Sequence, residues 1–224
     1  TGPEDIRRLH RLRALVDAVV VGAGTVLSDD PRLTVREVAG EDPVRVVLDP
    51  ERRVDAAHRV FSDEGGRSVV IEKEGGGGDR EGGGDSGSPP SRGSGVETVA
   101  LPHTSSHGFD PRAVIGALRD RGMRRILVEG GGVTVSRFLQ VGALDRLHIT
   151  VAPMIIGSGI PALTLPPVET LDHSLRPPCR HFKLGADILF DLDLRADRLF
   201  GDGLSGQEKP SQDHGSRKGG GKDQ

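Results

Sequence analysis

The chain contains no Trp, no Tyr and only one Cys among its 224 residues. A single cysteine excludes an intrachain disulfide framework and a zinc site built from several cysteines of one chain. That residue, Cys179, has Pro and Arg neighbours that do not indicate a nucleophile. Basic residues are scattered among acids, the net charge is only −3, and no basic stripe with interleaved aromatic residues is present. The sequence therefore does not favour nucleic-acid binding.

The sequence also lacks any apolar run near the ~18 residues that a membrane-spanning helix needs. No signal-peptide pattern precedes the first predicted helix. We therefore expect a cytoplasmic protein without a membrane partner. The eight His residues show no metal-ligand spacing: His103 and His107 flank a Thr-Ser-Ser loop, and His148 lies in a predicted strand. Structural or exposed histidines, and no metal site, are the expectation.

Two segments are too poor in apolar residues to contribute to a core. Residues 74–95 are almost wholly Gly, Ser, Asp, Arg and Pro, and residues 197–224 are rich in Gly, Lys, Asp and Gln. Such compositions cannot bury enough apolar surface to fold. The sequence therefore predicts one domain over residues 1–196, interrupted by a disordered insertion at 74–95 and followed by a disordered tail at 197–224.

Hydrophobic periodicity divides the remaining chain into alternating strands and helices. A helix begins at Pro3 and carries apolar residues at three-residue spacing through Leu15. Helices are also predicted over 111–121, with Asp110 as the cap, and over 133–141, with a short turn or helix at 25–30. Strands are predicted over 17–21, 44–48, 68–72, 96–101, 126–128, 147–152, 181–184 and 188–194, and an extended run over 32–36. This order predicts an α/β sheet with parallel pairs and antiparallel edges, a mixed sheet.

The sequence Glu129-Gly130-Gly131-Gly132 follows the predicted strand 126–128 and opens a predicted helix. Glycines let the backbone approach an anion, and the N–H groups and dipole of a helix start favour negative charge. A carboxylate, Glu129, stands at the carboxyl end of the strand, where α/β sheets place their ligands. This pattern predicts a phosphate-binding turn in an enzyme that uses a nucleotide.

A second glycine turn, Gly22-Ala23-Gly24, follows the predicted strand 17–21. Alone it is weak evidence, since it lacks the third glycine of a dinucleotide fingerprint and could be only a tight turn. Polar and basic residues follow it closely, namely Thr25, Asp29-Asp30-Pro31 and Arg36. Two such turns at strand ends predict the two halves of one cleft.

Two long stretches resemble the signatures of the riboflavin-biosynthesis pyrimidine reductases. This family comprises the C-terminal reductase domain of the bifunctional deaminase–reductase and its stand-alone relatives. The matching residues are 17–36, 126–132, Phe138-Leu139, Asp145-Arg146-Leu147-His148, Ala152-Pro153 and Gly157. The resemblance implies a single-domain, dihydrofolate-reductase-like α/β fold, with a mixed, mostly parallel central sheet flanked by helices. It also implies NADPH as cofactor and a homodimer.

The family reduces the ribosyl group of 5-amino-6-(5-phosphoribosylamino)uracil, or of its diamino-pyrimidinone counterpart, to a ribityl chain. Carried onto this sequence, the resemblance assigns substrate binding to Arg13, Leu33, Arg36 and Glu129. It assigns cofactor binding to Thr25, Asp29, Gly131, Gly132, Val133, Thr134, Val135, Ser136 and Arg137. Glu129 and Asp29 are the carboxylates expected at the cleft as catalytic groups, and the sequence leaves open which of them serves as the proton donor.

Other interpretations remain open from the sequence. The chain could be a reductase of the same superfamily with another small substrate. It could also be an inactive relative, because the family's opening Ala-x-Ser-Leu-Asp-Gly-like strand would end at or before Thr1. Selection of NADPH over NADH needs a cation or hydroxyl donor near the cofactor's 2′-phosphate, and Asp49-Pro50-Glu51-Arg52-Arg53 are the candidates.

Overall fold

The computed structural model describes residues 1–61, 66–75, 95–106 and 108–195. In chain order, the helices and strands are α1 (Pro3–Arg13), β1 (Ala18–Gly22), α2 (Ala23–Asp29), β2 (Val44–Leu48), β3 (Ser68–Lys73), β4 (Val96–Leu101), β5 (His103–Thr104), β6 (Gly108–Phe109), α3 (Pro111–Arg119), β7 (Ile126–Val128), α4 (Gly132–Gln140), β8 (Arg146–Val151), β9 (Cys179–Leu184) and β10 (Asp187–Asp193). Short 3₁₀ turns occupy Arg59–Phe61 and Leu171–His173.

The central sheet consists of five parallel strands in the order β4-β3-β2-β1-β7. Its middle strand β2 and its neighbour β1 are rich in Val and have no solvent-exposed residue. Strands that are covered on both faces show such continuous apolar runs. Because parallel strands end at the same edge of a sheet, the residues that follow β1, β2 and β7 lie along one edge.

The core lies on both faces of this sheet. Successive strand residues point to opposite faces, so Val20 joins one apolar cluster with Leu118 of α3 and Phe138 of α4. Val19 and Val21 join the other cluster, which includes Val26 of α2 and Val60. The two helical layers hold the sheet between them and fix the positions of the turns at its edge.

Local sequence signals set most element boundaries as expected. Asp110 accepts a hydrogen bond from the backbone N–H of Arg112 at 2.9 Å, so it caps α3 as predicted. Pro3 occupies the first turn of α1, with acidic residues beside it, where a missing N–H costs nothing and negative charge is favoured. The predicted helices, and all the predicted strands except the extended run 32–36, are confirmed within one or two residues.

The extended run predicted over 32–36 is wrong, because these residues belong to no strand. Leu33 has a φ of 57° and is buried among the residues packed on α2. Asp30, just after α2, also has a positive φ, of 41°. Apolar and polar residues alternate in this run as they do in a strand, but the structure buries the adjacent Leu33 and Thr34 rather than every second residue. Periodicity alone therefore could not distinguish this irregular segment from a strand.

Three antiparallel strands form a second sheet, in the order β8-β10-β9, and β5 and β6 pair separately as an antiparallel hairpin. The mostly parallel central sheet with flanking helices is confirmed, and the antiparallel part stands beside it as its own sheet. Polar contacts tie this second sheet to α1: His148 lies between the Arg8 guanidinium and the buried carboxylate of Asp191, and Thr150 donates to Asp5 at 3.1 Å. Burial, then the charge of Arg8, lowers the pKa of His148.

Parts of the chain fall outside the described residues. Of the predicted insertion 74–95, only Glu74, Gly75 and Gly95 are described, and the predicted tail 197–224 lies wholly outside, so their disorder stays a prediction. His107 is also outside. Among the helices that the structure describes, none has both the length and the apolarity to cross a bilayer.

Candidate functional site

The two glycine turns meet at the carboxyl edge of the central sheet. Thr25, in the first turn of α2, accepts a hydrogen bond through Oγ1 from the backbone N–H of Gly131 at 2.9 Å. Gly130 has a φ of 142°, and a Cβ there would lie 3.1 Å from Thr25 Oγ1. On the other side, a Cβ on Gly22 would lie 2.7 Å from Thr134 Oγ1. Glycine allows this close approach, and the two predicted half-sites are joined by the hydrogen bond between the Thr25 side chain and the Gly131 backbone.

The start of α4 has the features of an anion-binding turn. The residue before it, Gly131, offers no capping side chain, and Val133 in the first turn is 63% exposed. The first N–H groups of a helix have no partner within the helix and carry partial positive charge. A dinucleotide's phosphates need such donors together with a backbone that has no side chain in the way. The residues present therefore fit the phosphates of a nicotinamide cofactor.

A charged pair lies next to this turn. Arg13, at the end of α1, makes a two-pronged contact with the carboxylate of Glu129, with Nε to Oε2 at 2.9 Å and Nη2 to Oε1. The same guanidinium donates from Nη1 to the backbone oxygen of Thr34 at 3.0 Å. Its side chain is 7% exposed and that of Glu129 is 19% exposed. Bidentate geometry of this kind fixes a carboxylate in place.

The segment that follows α2 turns back onto α1 beside this pair. Leu33 is buried, and Arg36 is exposed with its Nη1 2.8 Å from Thr34 Oγ1. The backbone N–H of Arg36 donates to Nδ1 of His10 on α1 at 2.9 Å. Partial desolvation and the charges of other arginines, first Arg13, lower the pKa of Arg36. A group of cations that repel one another in this way is suited to an anionic ligand.

The structure thus brings most of the predicted site residues to one edge of the sheet. The four predicted substrate residues lie in one connected group that Thr34 completes: Arg13, Leu33, Arg36 and Glu129. Thr25 and Gly131 contact each other, and Gly132 to Arg137 form the first turns of α4. Asp29 ends α2 and is exposed, and none of the contacts described above involves it.

Two of the residues expected at the phosphates have other neighbours here. Ser136 is buried, and its Oγ accepts from the backbone N–H of Thr164 at 2.7 Å. Arg137 is exposed, and its guanidinium lies against Gly108 of the β5–β6 hairpin. The hydrogen bond of Ser136 therefore holds the segment around Thr164 against α4.

The candidates for the 2′-phosphate lie in the turn after β2. Asp49 is fully buried, and its carboxylate accepts from the backbone N–H groups of Arg53 at 3.0 Å and Val54 at 2.9 Å. Arg52 has a φ of 54° and pairs with the buried carboxylate of Glu72 at 2.6 Å. Asp49 and Arg52 are therefore part of the turn's own structure. Arg53 is exposed and remains the candidate cation in this turn.

A cavity of about 790 Å³ reaches this site from the outer edge of β7. It runs between α1, α3 and the second sheet, and Glu129 and Gly130 form one end of its wall. Its volume is in the range that small-molecule sites occupy. The edge of the sheet that carries the charged pair is thus accessible from a ligand-sized space.

Sequence reasoning missed two members of the site. His10 is covered by the expectation of structural or exposed histidines, and its burial and its bond to the backbone of Arg36 agree with a structural one, but its place beside the predicted substrate residues was not anticipated. Thr34 contributes both its backbone oxygen and its hydroxyl. The available signal was the spacing of His10 and Arg13, which puts both on one face of α1. Among the other histidines, His103 packs edge-on against Phe109 at 4.9 Å.

Metal ligands were not expected, and the described ranges contain no group of three or more His, Cys, Asp or Glu residues placed to hold an ion. Cys179 is exposed at the start of β9, away from the contacts described above.

Comparison with known proteins relates this chain to one protein family. Residues 1–188 match the family described as the RibD C-terminal domain. The chain is 32% identical over 203 residues to the 2,5-diamino-6-ribosylamino-4(3H)-pyrimidinone 5′-phosphate reductase of Methanothermobacter thermautotrophicus, an alignment that covers 87% of this chain and 88% of that protein. It is 34% identical over 161 residues to the riboflavin biosynthesis protein RibD of Aquifex aeolicus, covering 71% of this chain but 41% of the relative.

Among solved structures, one similar chain is the diaminohydroxyphosphoribosylaminopyrimidine deaminase/5-amino-6-(5-phosphoribosylamino)uracil reductase of Thermotoga maritima. The TM-score is 0.61 at 26% identity, and the match covers 83% of this chain and 47% of that one. The chain therefore spans most of the archaeal relative but less than half of the RibD protein and of this deaminase/reductase.

Proposed function

The chain belongs to the RibD C-terminal domain family, and from this premise we propose that it is an NADPH-dependent reductase of riboflavin biosynthesis. Its substrate would be 5-amino-6-(5-phosphoribosylamino)uracil or the diamino-pyrimidinone counterpart, with the ribosyl group reduced to ribityl. The names of its relatives support this activity. The observation that carries it is the meeting of a glycine-rich anion turn with a paired Arg13–Glu129 site at one sheet edge.

On this proposal the cofactor and the substrate occupy neighbouring parts of the edge. Thr25, Asp29 and residues 131–137 would hold NADPH, which supplies the hydride when it is bound. Arg36 would bind the phosphate of the substrate, since guanidinium groups match phosphate oxygens in geometry and charge. Leu33 packs beneath that segment, and Arg13 holds Glu129.

The chain's own residues then orient the substrate. Because the Arg13 guanidinium contacts both oxygens of the Glu129 carboxylate, this group has a fixed orientation in which it can accept hydrogen bonds from the substrate. Asp29 is exposed at the end of α2, where water is accessible. We propose Glu129 as the orienting carboxylate and assign the proton needed during reduction to Asp29 or to a water molecule that it holds.

The test measures loss of nicotinamide absorbance with purified protein. NADPH should be oxidised when either phosphoribosylaminopyrimidine is supplied and should remain stable with dihydrofolate. NADH in place of NADPH should give a lower kcat/KM. The variant Arg36→Leu should raise KM for the phosphorylated substrate by about tenfold or more, because it removes a charge-assisted contact to phosphate.

The matched control is Arg7→Leu, which removes an exposed arginine from another face of α1. It should leave KM unchanged. NADPH binding without turnover of either pyrimidine would reject the substrate assignment and favour a reductase that acts on another small molecule. A chain that binds no NADPH in a thermal titration would reject the enzyme assignment itself.

We also propose that the protein is a homodimer. Ile188 and Phe190 are two positions apart on β10, so they lie on the same face of the second sheet. Val151 on β8 pairs with Ile188 and therefore lies on this face too. They are 44%, 37% and 51% exposed, respectively. Contiguous exposed apolar side chains are typical of an interface. Phe190→Glu should convert the dimer into a monomer, as measured by light scattering. The control Leu15→Lys, at another exposed apolar residue, should leave the dimer intact. A wild-type protein that is a monomer would contradict the proposal.

A further inference from the structure

We propose that His10 is a positioning residue for substrate binding, which holds the segment carrying Arg36 through a hydrogen bond that only a neutral imidazole can accept. The inference rests on the function proposed above. It goes beyond the family assignment because none of the residues assigned by resemblance is a histidine.

The hydrogen bond defines the protonation state of the ring. The backbone N–H of Arg36 can only donate, and it lies 2.9 Å from Nδ1 of His10. Nδ1 must therefore carry a lone pair, which places the proton of the neutral ring on Nε2. Since His10 is almost wholly buried, water has little access to replace this contact.

His10 and Arg13 act on the same segment from one face of α1. Arg13 lies one helical turn after His10 on α1 and donates to the backbone oxygen of Thr34. His10 accepts a hydrogen bond from the backbone N–H of Arg36. Leu33, directly before the first of these contacts, has a φ of 57°, which is unfavourable for a branched side chain. Such a conformation persists only where its surroundings hold it. The two contacts with α1 supply that restraint, while the Arg36 guanidinium stays at the surface.

The charges around His10 favour its neutral form. Burial is the largest cause that lowers its pKa, followed by the positive charges of Arg13 and Arg36. Glu37 and Glu129 act in the opposite direction with smaller effect. These four groups lie on α1, on the segment itself and at the end of β7. The ring is therefore neutral at neutral pH, with its acceptor available.

A specific pH dependence follows. Because the folded-state pKa of His10 lies below the ordinary value near 6.5, the contact is complete above about pH 6.5. It is lost as pH falls through the folded-state pKa, when a protonated Nδ1 would face the N–H of Arg36. Release of this segment displaces the phosphate-binding arginine but does not touch the cofactor turn. KM for the phosphorylated substrate should rise at low pH, with a smaller change in kcat.

The experiment compares the wild type with His10→Asn, His10→Ala and the control His173→Asn. The Asn side-chain oxygen can replace Nδ1 as acceptor and does not titrate, whereas Ala offers no acceptor. His173 is exposed and outside the site. Two measurements are made between about pH 8 and about pH 5: KM and kcat with the phosphorylated pyrimidine, and amide hydrogen exchange of residues 33–36 by mass spectrometry.

For His10→Ala we expect exchange at 33–36 and KM both raised about tenfold or more at neutral pH. His10→Asn should keep wild-type values at neutral pH and lose the rise of KM at low pH, while His173→Asn should follow the wild type throughout. Wild-type behaviour of His10→Ala would overturn the proposal, as would an unchanged pH profile in His10→Asn. If the wild type reduces neither pyrimidine, the proposed function fails, and the exchange of residues 33–36 still decides the role of His10.

Discussion

Replacement of Glu129 by alanine is expected to reduce kcat/KM by about 100-fold or more and to lower the free energy of unfolding by about 2 to 4 kcal/mol. The substitution removes the only carboxylate seen in contact with the Arg13 guanidinium among the described residues, and leaves that buried cation without a counter-charge. It also removes the group that we assign to orient the substrate. Steady-state kinetics and urea unfolding measure the two effects.

A double-mutant cycle separates the charge effect from the loss of packing. The cycle compares Arg13→Met, Glu129→Leu and the double variant Arg13→Met/Glu129→Leu. The double variant replaces both charges with apolar side chains of similar size, so its loss of stability should be smaller than the sum of the two single losses by about 1 kcal/mol or more. Its activity should stay low, because the substrate contacts are gone. Stability losses that simply add across the cycle would contradict the paired site, and a fully active double variant would contradict the assigned role of Glu129.

The variant Gly132→Ala is expected to weaken NADPH binding by about tenfold or more and to lower stability by about 1 to 3 kcal/mol. A Cβ at this position would lie 2.5 Å from the backbone oxygen of Pro161 and 2.7 Å from that of Ala162. Backbone atoms cannot rotate away as a flexible side chain can, so either the segment 161–162 or the first turn of α4 must shift. A shift of the turn moves the N–H groups that would face the cofactor's phosphates.

The matched control is Gly116→Ala, also a glycine in a nine-residue helix, α3. A Cβ at Gly116 meets no atom within 4 Å, so alanine should stabilise the helix by about 0.5 to 1 kcal/mol and leave NADPH binding unchanged. Calorimetric titration with NADPH and thermal unfolding would check both variants. Tight NADPH binding by Gly132→Ala would show that the start of α4 does not hold the phosphates.

The backbone conformation of Val20 could be predicted from the sequence, whereas that of Leu33 could not. Val20 lies in a short run of β-branched residues that ends at a glycine turn. Such a run favours a buried strand. Leu33 lies in a run of alternating apolar and polar residues, which also favours an extended chain, yet its backbone is left-handed. The next residue, Thr34, is held by a hydrogen bond from Arg13, which lies 21 positions away. No local pattern encodes it.

The candidate site shows the same division. The carboxyl ends of parallel strands lie at one edge of a sheet, so the sequence predicted that the turns of Thr25 and Gly131 would lie close together. The hydrogen bond between these two residues agrees with that expectation. The pairing of Arg13 with Glu129 did not follow, although both were assigned to the substrate, because sequence patterns do not show which side chains touch. The partner of His10 did not follow either, for the same reason: a buried histidine on α1 gives no local sign of the backbone that it contacts.

Local chemistry was thus sufficient for the strands, the helices, their caps and the two glycine turns, since propensity, periodicity and backbone freedom act over a few residues. Tertiary packing decided the separation of the antiparallel strands into a second sheet, the left-handed turn at Leu33, and the partners of Arg13, His10 and Ser136. The partner contacts of Arg13, His10 and Ser136 join residues between 21 and 116 positions apart. Their energies arise only when folding brings the groups together and removes water from them.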